Sequence, residues 1–216
     1  MSPRHTGEGN ASEACIALTF DDGPSAWTEP ILDILAANNA RATFFVIGSL
    51  VETRPQVLQR IVAEGHEVGN HSWSHPRLAR DCDDERVRVE LARTNDVIAA
   101  AVGLHPRRFR APYYDVDEGV ETVASSLGLA HTPGTVTPPD WRPSVRSGLL
   151  VTLVLQLIRP LGIIGLHDGI PPDELHLPGV SRAVTVETVA AFLPRLNEAG
   201  YACVTASSLL DADEPA

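Results

Sequence analysis

The feature that most restricts this chain is its rhythm: short apolar runs alternate with segments of helical period from Ala14 to Thr205. Ala14–Phe20, Ala42–Gly48, Glu67–Asn70, Phe109–Ala111, Leu129–Val136, Gly162–Leu166 and Tyr201–Thr205 read as strands. Between them Thr28–Asn39, Arg54–Glu64, Asp84–Val102, Glu118–Leu127, Ser144–Ile158 and Thr185–Glu198 read as helices, with Gly200 placed to end the last. Strands joined through helices lie parallel. About seven such repeats predict a single α/β domain, either barrel or open sheet. No G-x-G-x-x-G follows the first strand, which weighs against a dinucleotide-binding sheet. The expected fold is therefore a (β/α) barrel, distorted or incomplete, whose functional residues gather at the C-terminal strand ends.

At 216 residues the chain suits one domain with a full core. Residues 14–210 are expected to form it, after a flexible segment 1–13 and before an acidic tail 211–216. The net charge of −11 excludes ordinary nucleic-acid binding, since no basic surplus displaces phosphate counterions, and disfavours anionic membranes. All 17 basic residues are arginine, so Schiff-base and P-loop lysine chemistry are excluded. Cys15, Cys82 and Cys203 lack metal-ligand spacing and imply no disulfide framework; Cys15 and Cys203 lie in apolar runs that suit a core. Met1–Ala14 lacks the apolar stretch of a signal peptide, and no run is long enough to span a membrane. As it stands the chain reads as cytoplasmic, or as secreted if a leader has been trimmed.

Thr19-Phe20-Asp21-Asp22-Gly23-Pro24 sets two adjacent acids where the first strand meets a Gly-Pro turn. Their mutual repulsion is unfavourable unless a cation offsets it. His71-Ser72-Trp73-Ser74-His75 follows the third strand, and with an aspartate it completes a set of two histidines and one carboxylate, of the catalytic, open-coordinated kind. Spacing alone does not decide which aspartate is the ligand. Neighbours on a regular strand point to opposite faces, so the two acids are expected to divide their work.

The TFDDGP segment, the H-S-x-x-H segment, Phe109-Arg110-Ala111-Pro112-Tyr113, Asp140-Trp141 and Leu166-His167-Asp168-Gly169 occur in the order of five family motifs. From about Cys15 to Leu210 the chain resembles the polysaccharide deacetylases, also called carbohydrate esterase family four or the NodB-like domain. The resemblance implies that Asp21 is the general base and that Asp22, His71 and His75 hold one divalent cation. Zinc suits that set best, with cobalt or nickel as alternatives. It further implies that Arg110 pairs with Asp21, the Tyr113 N–H donates to the oxyanion, and His167 is the general acid. Asp140 would orient the cationic end of an Arg110–His167 network, while Pro112, Trp141 and Gly165 would border the substrate. The implied reaction is hydrolysis of an N-acyl group, most simply N-acetyl, on an amino sugar or glycoconjugate. His5, His66, His105 and His131 have no such support and read as structural or solvated; His176 reads as a loop residue.

Four positions depart from the family pattern. Thr137 stands where an aspartate is frequent, Gly134 replaces a tryptophan, Tyr114 a glycine, and Gly165 a bulky aliphatic residue. Two losses of bulk suggest a pocket wider than acetyl needs, or a small N-acyl compound as substrate. A dehalogenase-type phosphatase is set aside because its two aspartates are separated by one residue, whereas Asp21 and Asp22 are adjacent. A catalytically dead carbohydrate-binding module remains the non-enzyme alternative, and an intact Asp21 and His167 count against it.

Overall fold

The computed structural model describes residues 15–213. The segment 1–13 and the last three residues of the expected acidic tail lie outside them. Seven strands form one parallel sheet: β1 (Cys15–Gly23), β2 (Thr43–Val46), β3 (Glu67–Asn70), β4 (Arg108–Phe109), β5 (Ala130–His131), β6 (Ile163–His167) and β7 (Ala202–Val204). Their order is β5-β4-β3-β2-β1-β6, and β7 pairs with the first residues of β1. The sheet curls, but among the described residues the only strand pairing between the β5 side and β6 is an isolated bridge from Val136 to Ile164. The barrel is incomplete, as the rhythm of the chain predicts.

Nine α-helices occur among the described residues: α1 (Thr28–Ala37), α2 (Gly48–Thr53), α3 (Pro55–Ala63), α4 (Leu78–Asp81), α5 (Asp84–Val102), α6 (Glu118–Ser126), α7 (Ser147–Leu157), α8 (Ala183–Glu198) and α9 (Ala206–Leu210). Local chemistry sets several of their ends. Asp83 accepts from Arg86 N at 2.9 Å to start α5, and Asp117 from Val120 N at 2.9 Å to start α6. Gly103, in the left-handed region at φ 72°, stops α5. The short helices α2, α4 and α9 have too few turns to give a period, so the sequence reads them as loop.

The main core packs Phe20, Phe44 and Leu18 of the sheet against Ile31, Leu35, Leu58, Val154 and Phe192 of the surrounding helices. A second cluster, with Leu91, Phe109 and Val120, seats α5 and α6 on β4. Two expected strands are corrected. The run 129–136 pairs with β4 only at residues 130–131 and meets β6 again at Val136, because Pro133 between them lacks the N–H a ladder needs. Conversely β1 continues past Phe20 to Gly23 and carries both aspartates inside the sheet. Among the described residues no helix is long and apolar enough to cross a membrane.

Candidate active site

The site lies at the C-terminal ends of β1, β3 and β6, around a cavity of about 410 Å³. Asp21 of β1 is the register partner of Phe45 and Gly23 that of Val46, so Asp22 is a bulge between them. The bulge, with a left-handed backbone at Asp22 (φ 73°), turns both carboxylates into the same cavity. Strand alternation predicted opposite faces; the extra residue overrides it. Glycine must follow, because a Cβ at position 23 would stand 2.7 Å from Asp168 Oδ1.

His71 and His75 bring their Nε2 atoms to 3.3 and 3.2 Å from Asp22 Oδ1. The Nδ1–H of His71 donates to Arg110 O at 2.8 Å, which leaves the Nε2 lone pair facing Asp22. Asp22 Oδ1 is buried and makes no hydrogen bond. Ligand atoms about 2.05 Å from a tetrahedral zinc-like ion stand about 3.3 Å apart, close to the spacing found here. The donor set therefore fits a divalent cation. Burial alone raises the Asp22 carboxyl, but the two imidazoles, when protonated, and the charge of His167 outweigh it and hold it well below the usual carboxylate range.

Asp21 makes no part of that cluster. Its Oδ1 accepts from Arg110 Nη1 at 2.8 Å, and the fully buried guanidinium also donates to Thr19 Oγ1, Thr132 O and Pro133 O. Asp140 instead serves His167. Its Oδ1 accepts from His167 Nδ1 at 2.7 Å, while Oδ2 accepts from His167 N at 2.9 Å and Thr185 Oγ1 at 2.7 Å. The expected bridge from Asp140 to Arg110 is absent, because Arg110 is engaged elsewhere. Two separate ion pairs result, and the register brings them side by side: Asp21 and His167 are partners across β1 and β6. Burial works against a charge on His167, yet Asp140, with Asp22 and Asp21 beyond it, raises the imidazole to about 9.

Tyr113 sits in a single 3-10 turn, Pro112–Tyr114, at φ 57°. The N–H groups of Tyr114 and Asp115 close onto Ala111 O and Pro112 O, whereas that of Tyr113 has no acceptor among the described residues. Its ring packs edge-on to His75 at 4.7 Å, with Arg77 above it at 4.0 Å. Trp141 meets His167 in a T-shape at 5.3 Å and is 42% exposed, which suits the rim of an open groove. Two expected substrate residues do not line the cavity. Pro112 is buried, and Gly165 is covered by Tyr114 and Thr137.

Several site residues are not singled out by the sequence motifs. Arg182 is 1% exposed, lies 4.0 Å from Asp22 Oδ2 and leaves Nε and Nη1 without partners. Glu90 accepts from Trp73 N, Ser74 N and Ser74 Oγ at 2.7–2.9 Å and so staples the histidine loop to α5. An acid one residue from buried Leu91 and three from buried Val87 was the clue to it. Asn70 adds a second staple, bonding Asn95 Oδ1, Leu91 O and Ser72 N at 2.8 Å. Asp22, Ser72, His75, Tyr113 and Tyr114 are five of the seven non-glycine residues with positive φ among those described. Each such residue costs about 1–2 kcal/mol, and their concentration here marks backbone shaped for a site.

Fold and site together define a hydrolase of the α/β-barrel kind. It is built round a cation-sized cluster of two imidazoles and a carboxylate, with a separate acid and imidazole beside it. Residues 8–132 match the polysaccharide deacetylase family. A chitooligosaccharide deacetylase of Sinorhizobium fredii is 41% identical over 190 residues, covering 86% of this chain and 87% of that one. The peptidoglycan deacetylase PdaC from Bacillus subtilis superposes with a TM-score of 0.82 at 32% identity, over 94% of this chain and 92% of that one. A family 4 acetyl xylan esterase from Clostridium thermocellum, solved with a cobalt ion, gives a TM-score of 0.81 at 34% identity over 92% and 91%. The chain belongs to the polysaccharide deacetylase family.

Proposed function

We propose that the protein is a metal-dependent deacetylase that removes N-acetyl groups from amino-sugar oligomers of the chitooligosaccharide kind. The observation that carries this reading is the separation of Asp21 from the Asp22–His71–His75 cluster, with His167 directly across the strand pair. Binding a sugar needs neither a free base nor a proton donor; cleaving an amide needs both.

Asp22, His71 and His75 would hold the divalent cation, zinc being the natural choice for this donor set. When bound, that ion polarises the acyl oxygen and acidifies the attacking water. Arg110 holds Asp21 aimed into the cavity, and Asp21 accepts the proton from water as it attacks. The Tyr113 N–H donates to the developing oxyanion, a contribution typically worth about 3–4 kcal/mol. His167, held charged by Asp140, then protonates the departing amine; without that proton the adduct expels water again and reverts to amide. Exposed Trp141 offers an apolar face for a sugar ring. The 41% identity to a chitooligosaccharide deacetylase over nearly the full length supports short oligomers as substrate.

The test is to incubate zinc- or cobalt-loaded protein with N-acetylated chitooligosaccharides and measure free acetate together with the mass of the product. Acetate release that stops with a chelator and returns with metal is expected, as is inactivity of Asp21→Asn. Release that survives Asp21→Asn, or sugar binding without any release, would overturn the reading.

A further inference from the structure

Three positions exchange volume around the inner end of the cavity. Gly165 of β6 and Gly134 have no side chains, although Gly165 faces inward beside Thr19 of β1. A Cβ built on Gly165 would stand 2.8 Å from Tyr114 Oη and 3.2 Å from Thr137 Cγ2; one on Gly134 would lie closer still to the same hydroxyl. Both glycines are therefore covered chiefly by the Tyr114 ring, with the Thr137 methyl beside it. Tyr114 reaches that place because the turn after β4 holds it at φ 54°, a conformation that glycine tolerates better than any side chain. The strained backbone and the two absent side chains make sense together only if the ring belongs there.

The ring borders the reaction. Tyr114 lines the same cavity as Asp21 and His167, and its centroid is 5.5 Å from the Arg110 guanidinium that holds Asp21. Its hydroxyl makes no hydrogen bond among the described residues, and burial raises the phenol far above its ordinary range, so it stays neutral. Trp141 and Tyr113, each 42% exposed, offer faces to a sugar ring; Tyr114 is itself 38% exposed, but its hydroxyl end is set inward against Gly134 and Gly165. The small acyl chain then points the other way, toward Tyr114.

We propose that Tyr114 closes the acyl end of the cavity and restricts the group removed to acetyl. The inference rests on the deacetylase reading above and deepens it. It reverses the expectation drawn from Gly134 and Gly165, since the bulk missing at both is supplied by Tyr114. One methylene too many in such a pocket changes specificity about 10- to 200-fold.

The experiment compares Tyr114→Gly, Tyr114→Phe and the double variant Tyr114→Gly/Gly165→Leu with the native zinc-loaded protein. Tyr114→Gly relieves the positive φ, so it is expected to fold; melting temperature and metal content verify this. kcat/KM is measured on oligomers of equal length bearing N-acetyl or N-butyryl groups. Calorimetry separately compares acetohydroxamate with butyrohydroxamate, chelators whose acyl tails enter the same end whether or not the protein turns over. In Tyr114→Gly the butyryl-to-acetyl ratio rises at least tenfold in both assays, and Gly165→Leu added to it brings the ratio back toward native. Tyr114→Phe, which keeps the ring, stays within about threefold of native. An unchanged ratio in a folded Tyr114→Gly overturns the inference, as does an equally large shift in Tyr114→Phe. Native protein that releases no acetate, while hydroxamate selectivity still shifts in Tyr114→Gly, sinks the deacetylase reading and leaves the size limit standing.

Discussion

Two glutamates, one at each end of the sheet, accept three hydrogen bonds apiece, yet they serve different ends. At the N-terminal end Glu67 Oε2 takes the Thr43 hydroxyl at 2.7 Å and Ser207 N at 3.0 Å, while Oε1 takes the Ser207 hydroxyl at 2.5 Å. It ties β2, β3 and α9 together, and Arg108 adds bonds to Ser207 and Asp211 beside it. At the C-terminal end Glu90 holds only the loop that carries His71 and His75. Glu67, Arg108 and Asp211 have all found partners. Among the described residues Glu64 Oε2 and His66 Nε2, near Glu67, are buried without a partner, but five of the ten such atoms gather at the site: Asp22 Oδ1, His75 Nδ1, Asp168 Oδ1 and Arg182 Nε and Nη1. Native interiors satisfy nearly all such groups, so that gathering is a sign of chemistry rather than stability. The lesson is that similar bonds stabilise the fold at one end and position reactive atoms at the other.

The strongest way to break this contrast is Asp22→Asn. It removes the charge that faces His71 and His75, so metal binding and hydrolysis are both expected to vanish. The native protein gains melting temperature on adding zinc, as binding to the folded state requires; the variant gains none. Without metal the variant is expected to melt about 2–4 °C lower, roughly 1 kcal/mol for a domain of this size, and to stay folded, because the contacts that outweigh the carboxylate's burial cost go with its charge. Thermal melts with and without zinc test this. A collapse of the metal-free variant would show that the site end holds the fold as the other end does.

Next in size is the Asp140–His167 pair, probed through pH. A donor must carry its proton, so the rate is present below the pKa of His167 and lost as pH rises through it. That pKa is raised, to about 9, because Asp140 and the other acids outweigh burial. A bound cation repels the imidazolium and draws the alkaline limb to lower pH. Asp140→Asn removes the largest raising influence, so its limb is expected about one unit or more below native. The rate on the plateau falls about 100-fold as well. A profile of kcat/KM against pH decides the matter; an unmoved alkaline limb would take His167 out of the donor role.

The two ends also differ in how far the sequence reveals them. Paired acids on Asp21-Asp22, the His71–His75 spacing and the strand–helix rhythm are local, and each survives into the structure. Legibility ends where a feature is made by residues distant in the chain. The Asp22 bulge breaks the strand period that predicted opposed carboxylates. Arg182 comes to the site from the start of α8, 160 residues from Asp22, and nothing in its own neighbourhood announces it. The volume lost at Gly134 and Gly165 returns through Tyr114, which only three-dimensional packing can reveal. Helices as short as α9 leave no period to read, although α9 is what Glu67 binds.

The smallest and most discriminating change is the same substitution made at both ends, Glu90→Gln and Glu67→Gln. An amide keeps one acceptor oxygen but sets N–H groups against backbone N–H and hydroxyl donors, so each variant loses part of its staple without losing volume. At Glu67 the loss falls on contacts between β2, β3 and α9, none of which touches the cavity. Stability is expected to drop by about 1–3 kcal/mol, with kcat/KM at saturating zinc unchanged. At Glu90 the loss falls on the Trp73-Ser74 backbone, which sets where the two imidazoles point. Support of this kind is worth about 10- to 100-fold in metal affinity, so zinc binding weakens by that factor while the melting temperature of the metal-free protein moves less than in Glu67→Gln. Zinc titration and thermal melts on the pair measure both quantities. Only a crossed result, affinity lost at one end and stability at the other, upholds the division; parallel losses would mean that the two glutamates do the same work.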